Sequence, residues 1–333
     1  MSDAQPVPLL LVAGGPGVGK TTLLAHWLGD RAFASSAVLV NEPGAIAVDA
    51  HLLGGFAGVT RTLGGGCACC TARGGLAAAL ADLAGGRPRA ALHYDRVIVE
   101  LAGIAHPLPL LEDLDADAFL RERFPLHGLV TLVDAARGAD GLDRAEARSS
   151  VAAADVLVLT RTEHAEEAAV ERLAAALQRL NPCAEILGAG GSSAEAGDVW
   201  EAAAAAPGRA LRRLEAAVEG GPVHDEREYP RASLAPVHGD DIRVHTVRFA
   251  APVDLSGFCV RLAAFLEAHG NAVLRVKGLV AARGRRAPAL IQAVGASLQP
   301  VRTLKVWPRG AKPGGLVVIA RGLEEDTVRA ALS

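Results

Sequence analysis

Residues 9–13 form an unbroken apolar run, Leu-Leu-Leu-Val-Ala, and from Thr21 to Trp27 the apolar positions return at helical spacing. A short apolar run that passes directly into an amphipathic stretch predicts a buried strand feeding a helix. The alternation recurs: 37–40, 94–100, 129–133, 156–159 and 184–187 read as strands, and 72–83 and 165–180 as helices, the second broken by Asn181-Pro182. Strands that are apolar on both faces need cover on both faces. Residues 7–205 therefore predict a mostly parallel α/β sheet with helices on either side. From 219 to 241 periodicity gives way to Pro, Gly and charge, the signature of a linker. Beyond it the rhythm changes to an alternating strand (244–249), a helix (255–269), strands (273–281, 289–294, 316–320) and a closing helix (324–332), a smaller α+β domain. The expected organisation is 1–218, a linker at 219–241, and 242–333.

Composition narrows the function classes. With 333 residues, 50% apolar and 21% charged, the chain has the make-up of a folded two-domain protein. A net charge of −3 exerts no general pull on nucleic acid or anionic lipid, and no nucleic-acid module is recognisable. No apolar run approaches the ~20 residues that cross a bilayer, and the first residues lack a secretion-signal layout, which predicts a cytoplasmic protein without a membrane partner. Basic residues are 30 Arg against 4 Lys, so Lys20 stands out.

The chemistry begins between the first strand and helix, where Gly14 to Thr21 reads G-x-x-x-x-G-K-T. Gly14, Gly15, Gly17 and Gly19, with Val18 between the last two, let successive backbone N–H groups turn toward one anion. Lys20 adds a cation, the Thr21 hydroxyl suits Mg²⁺, Thr22 continues the turn, and the helix N-terminus points its positive end at the same charge. This context implies a nucleoside triphosphate site. The strand ending at Glu100 places an acid where Mg²⁺ or the attacking water is held, with Gly103 able to donate its N–H to a terminal phosphate. Asp134 ends another strand, either as a second such acid or as a cap for the next segment of chain. Glu42 and Asp49 come after the 37–40 strand as candidate switch carboxylates for Mg²⁺ or a second metal.

Three cysteines crowd into Cys67-Ala68-Cys69-Cys70 after three glycines. Thiolates select Zn²⁺ or similarly soft ions over Mg²⁺ and Ca²⁺. Cys183 and Cys259 are isolated in apolar surroundings and read as core, and His224, Asp225 and His238 in the linker read as solvated.

The residues GGPGVGKTT (14–22), VNEPG with Asp49, GCACC (66–70), ELAGIAHP (100–107), LVDA (132–135), LNP (180–182) and RVKGL with Gln292 are similar to those of the CobW-like metallochaperones, a branch of the P-loop GTPases. The resemblance implies a GTPase domain and a CobW C-terminal domain, with GTP and Mg²⁺ bound and Zn²⁺ or Co²⁺ carried by Cys67, Cys69 and Cys70. It implies metal delivery to a client metalloprotein or metal-inserting enzyme, and leaves room for a homodimer; the sequence shows no obvious catalytic glutamine or arginine finger, so slow hydrolysis is expected. A regulatory GTPase with structural cysteines, acting through partner docking, is the alternative. Two departures matter. Thr160-Arg161-Thr162-Glu163 stands where the family reads guanine with Asn-Lys-x-Asp, so Glu163 becomes the acceptor for guanine and its preference should weaken. Pro43 and Ala45 replace a phenylalanine and a glutamate that the family often has.

Overall fold

Strand β1 (Leu9–Gly14) leads into helix α1 (Lys20–Gly29), followed by β2 (Ser36–Asn41), β3 (Thr60–Leu63), α2 (Thr71–Ala84) and β4 (Arg96–Glu100). Helices α3 (Pro107–Ala116) and α4 (Ala118–Arg123), strand β5 (Leu126–Asp134), α5 (Ala145–Ala153), β6 (Val156–Thr160), α6 (Glu167–Leu180), β7 (Glu185–Gly188) and α7 (Ala196–Ala203) continue the chain. This computed structural model describes residues 6–41, 60–63, 71–85, 94–103, 107–188, 194–204, 242–304, 307 and 314–332. The described residues divide into two bodies, one within 1–150, 155–166 and 186–205, the other within 151–154, 167–185 and 206–333. The expected boundary at 218 and the linker lie outside the described residues.

The first sheet has the order β3-β2-β4-β1-β5-β6-β7, and its β2–β3, β2–β4, β1–β4, β1–β5 and β5–β6 pairs are parallel. Leu9, Leu10, Leu11 and Val12 are all fully buried, so successive side chains are covered on opposite faces, as the apolar run requires. On one face Leu24, Trp27 and Leu28 of α1 pack with Leu10, Val12, Val38, Ile98 and Val158. Each such large side chain contributes roughly 1.5–3 kcal/mol by leaving water. The indole N–H of Trp27 donates to the Ala194 carbonyl at 3.0 Å, so its one polar atom is satisfied inside that core. Strand β3 escapes sequence reading because Thr-Arg-Thr-Leu has no apolar run; among the described strands it is the edge of the sheet, paired with β2.

In the second body the LNP motif proves architectural. Asn181 Nδ2 donates to the carbonyls of Val151 (2.8 Å), Ala152 (3.1 Å) and Ala154 (2.9 Å), and its Oδ1 accepts from the Cys183 and Ala184 N–H groups, both at 3.1 Å. A fully buried amide with this many partners fixes the turn after α6.

The carboxyl-terminal part builds β8 (Ile242–Arg248), α8 (Leu255–His269), β9 (Val273–Val280), β10 (Ala289–Val294), β11 (Ser297–Leu298), β12 (Arg302–Thr303), β13 (Gly314–Arg321) and α9 (Glu325–Leu332). Its sheet is antiparallel in the order β11-β10-β9-β13-β8, with β12 pairing β10. Phe258, Leu262, Phe265 and Leu266 of α8 and Val328 and Leu332 of α9 pack on Val247, Val276, Ile291, Leu316 and Val318. The RVKGL motif also sits in this sheet: Arg275 and Lys277 are 2% exposed, and Arg275 Nη2 donates to Gln292 Oε1 at 3.2 Å. At the rim, the Arg243 guanidinium holds the Glu324 carboxyl below the usual carboxylate range by hydrogen bond and charge. Cys183 is buried, and burial pushes the half-buried Cys259 thiol up, away from the thiolate form that binds metal. Among the described residues no helix is long and apolar enough to cross a membrane.

Candidate nucleotide site

The carboxyl ends of four adjacent strands make the site. In register, Val12 of β1 lies beside Glu100 of β4, Gly14 beside Leu132 of β5, and Asp134 of β5 beside Thr160 of β6. The chain order reverses about β1, and open α/β sheets bind ligands in the crevice at such a reversal.

The loop after β1 takes its shape from glycine. Gly17 has φ +70° and Gly19 has φ +96°, left-handed values that side chains resist. Gly19 is also the N-cap of α1; no side chain caps this helix and no acid sits in its first turn. Helices normally satisfy their leading N–H groups with such side chains, so here the helix end is left to a ligand anion. Lys20 is 7% exposed, and its Nζ donates to the carbonyls of Gly14 (3.0 Å) and Gly15 (3.1 Å), which holds a compact cation inside the loop. Val18 is buried and anchors the loop to the core, while Thr22 is exposed on the first turn of α1.

Thr21 and Glu100 meet. The Thr21 hydroxyl donates to Glu100 Oε1 at 2.8 Å, and Glu100 is 4% exposed. A hydroxyl and a carboxylate side by side at a phosphate loop form an all-oxygen donor set, which fits a hard divalent cation such as Mg²⁺. Gly103 packs against the loop from the β4 side: a Cβ built there would lie 2.5 Å from Pro16 N and 2.7 Å from Pro16 Cα. Only glycine permits that approach.

The β6 end grips the loop from the other side, which the sequence did not disclose. Thr160 Oγ1 donates to the Val18 carbonyl at 2.9 Å. Arg161 donates from Nη1 to Asp134 Oδ2 at 2.8 Å and from Nη2 to the Gly17 carbonyl at 2.6 Å. Its φ of +56° is the sole positive value for a non-glycine among the described residues, and the two bonds hold it there. Of the two roles left open by the sequence, Asp134 takes the cap, accepting from Ala136 N at 3.1 Å, and it also anchors Arg161, a role the sequence did not suggest. Glu163 lies two residues on, half-exposed, with its Oε1 3.6 Å from His164 Nε2. The only signal for this bridge in the sequence was an acid and an arginine at the ends of two successive strands. Glu42, Asp49, Cys67, Cys69, Cys70 and the linker residues His224, Asp225 and His238 lie outside the described residues. Among the described residues no three His, Cys, Asp or Glu side chains gather as a metal site.

Such a loop, gripped from two strand ends at the reversal of a parallel sheet, is that of a P-loop nucleotide-binding protein. Residues 8–188 match the CobW/HypB/UreG nucleotide-binding domain and residues 242–333 the Cobalamin synthesis protein cobW C-terminal domain. The chain belongs to the CobW/HypB/UreG family, as its motifs suggested. It is 29% identical to the zinc chaperone YjiA of Escherichia coli, over 99% of this chain and 98% of the relative. It is 27% identical to the zinc chaperone CobW of a Sinorhizobium species, over 98% and 96%. The crystal structure of Zn(II)-bound YjiA GTPase from E. coli superposes with a TM-score of 0.67 at 23% identity, covering 98% of both chains, and so shares the fold.

The bridge makes a prediction. Hydrogen bonds to charged groups are worth about 1.5–3 kcal/mol, so Arg161→Ala and Asp134→Asn are each expected to weaken nucleoside diphosphate binding roughly tenfold or more in a titration. Because both act through the grip on Gly17, the double variant should lose little beyond the worse single one; additive losses would show that they act separately.

Proposed function

We propose that the protein is a nucleotide-gated metal carrier that binds Zn²⁺ or Co²⁺ through Cys67, Cys69 and Cys70 and couples hydrolysis of GTP to delivery of the ion to a client metalloprotein or metal-inserting enzyme. The observation that carries this reading is the strand order. Leu63, the last residue of β3, pairs with Asn41 at the end of β2, and Val40 pairs with Glu100. The segments that leave β3 and β2, with the cysteines and with Glu42 and Asp49, therefore start at the same sheet edge as the phosphate loop. Strands lie roughly 4.8 Å apart, so β3 and β1 end on the order of 15 Å from one another. Four residues from Leu63 to Cys67 span at most about 14 Å, so the reading requires that segment to run toward the phosphate loop. Near full-length likeness to proteins named zinc chaperones supports the same ion.

In this reading Gly15, Gly17, Val18, Gly19, Lys20 and Thr22 bind the phosphates, and Gly103 donates its N–H to the terminal one. Mg²⁺, where bound, is held by Thr21 and Glu100 and neutralises phosphate charge. Water forms a bond to the terminal phosphorus, the bond to the bridging oxygen breaks, and the electron pair stays on GDP. Slow intrinsic turnover is part of this reading. Guanine preference rests on Glu163, because the single Thr160 hydroxyl hydrogen is committed to the Val18 carbonyl. Loss of the terminal phosphate relaxes the segments that it orders, and the thiolate set opens. A cytoplasmic, reducing setting keeps the thiols available.

The test is a Zn²⁺ titration of the whole chain with a non-hydrolysable GTP analogue and, separately, with GDP. About tenfold tighter binding with the analogue is expected, lost when Cys67 and Cys69 are replaced by serine. Equal affinity in the two states, or affinity unchanged by the serines, overturns the reading.

A further inference from the structure

Charge is unevenly distributed along the chain. Residues 1–241 carry 20 Lys and Arg against 32 Asp and Glu, a net −12, whereas 242–333 carry 14 against 5, a net +9. The basic residues are further grouped: between Glu267 and Glu324 there are ten Lys and Arg and no Asp or Glu. Two of them, Arg275 and Lys277, are buried in β9. Arg283, Arg285, Arg286 and Arg302 are exposed.

The fold gathers those four at one end of the β9–β10 hairpin. Its turn is fixed by the Arg285 N–H, which donates to the Ala282 carbonyl at 3.1 Å, and by the Arg283 N–H, which donates to the Val253 carbonyl at 2.8 Å. Strand β12 pairs with β10 so that Arg302 lies opposite Leu290, and Arg285 Nη1 comes within 3.5 Å of Thr303 Oγ1. Trp307 Nε1 donates to the Arg286 carbonyl at 3.1 Å and ties the turn to a later part of the chain. None of the four guanidiniums has an ion-pair partner among the described residues, unlike Arg243 and Arg329 of the same domain, which pair with Glu324 and Glu325.

Like charges held close without acids repel one another, and an anionic partner relieves that cost. We propose that this hairpin end, with Arg283, Arg285, Arg286 and Arg302, is a docking surface for an acidic segment of a partner protein. Guanidinium forks match carboxylates in a bidentate geometry that fixes register as well as supplying charge. Nucleic acid has the same sign of charge, but residues 1–241 at net −12 oppose a long polyanion, while a short acidic segment engages the hairpin end alone. The proposal goes beyond the metal-carrier reading and does not depend on it.

It is tested on the full chain by fluorescence anisotropy, with a labelled peptide rich in Asp and Glu and a labelled DNA duplex as probes. The peptide should bind, more weakly as salt rises, and Arg285→Glu with Arg286→Glu should weaken it about tenfold or more. Arg261→Glu with Arg329→Glu makes the same change of net charge elsewhere in the domain and should leave affinity within about twofold. Both double variants should retain wild-type nucleotide hydrolysis, which separates failure here from failure of the carrier reading. Equal weakening by the two double variants, no binding of the peptide, or tighter binding of the duplex than of the peptide overturns the proposal.

Discussion

Gly103→Ala is expected to weaken nucleotide binding by a hundredfold or more and to lower the thermal midpoint. The added methyl carbon would stand 2.5 Å from Pro16 N, 2.7 Å from Pro16 Cα and 2.9 Å from Gly15 C, all backbone atoms of the phosphate loop. No rotamer relieves a contact with backbone, so either the turn after β4 or the loop must move. Overpacking of this kind costs typically 1–3 kcal/mol in stability. The loss in affinity is larger because an anion cradle works by preorganisation: when its N–H groups no longer converge, several charge-assisted hydrogen bonds weaken together. Nucleotide titration beside thermal unfolding checks both halves. An alanine variant that binds normally would show that the loop tolerates displacement, and would remove Gly103 from the site.

Glu100→Gln should act on the chemical step. Glu100 is 4% exposed and receives the Thr21 hydroxyl at 2.8 Å. The amide keeps the volume and one acceptor but loses the charge that would hold a cation and orient water. Removing one electrostatic contact of a reacting centre commonly costs about 10²–10³ in turnover. GTP hydrolysis in a single-turnover assay should fall by that factor, while GDP affinity measured without divalent cation should change by less than about threefold. A parallel loss of GDP affinity would mean that the carboxylate supports the loop rather than the reaction.

The proposed carriage of metal rests on position. Soft thiolates and hard carboxylates come after neighbouring strands, so one nucleotide pocket can sense both through the segments that leave its edge. Thiolate ligation also requires proton loss, so metal affinity should rise with pH. The basic hairpin in the second domain adds a different capacity, recognition of an acidic partner, that shares no residue with the nucleotide site.

Strands β1, β4, β5 and β6 were legible because each is centred on a short, densely apolar stretch, as strands buried on both faces have to be. The loop was legible because only glycines at fixed spacing permit its backbone, and Glu100 because it terminates one of those runs. Strand β3 was hidden, since an edge strand needs no apolar run. The Arg161 bridge was hidden for another reason: residues 17, 134 and 161 are far apart in the chain, and no local pattern says which strand ends become neighbours.

By itself, then, the sequence determined which segments are strands and helices, that a phosphate loop lies between the first pair, and that three thiols come after three glycines. These are local matters, decided by hydrophobic period, glycine geometry and ligand chemistry over a few residues. Only the tertiary structure decided that Asp134 holds Arg161 onto the Gly17 carbonyl, that Gly103 has no room for a side chain, and that four arginines share one hairpin end. Those depend on strand order and register, which arise from burying the two sheets as wholes and are encoded in no single stretch of the chain.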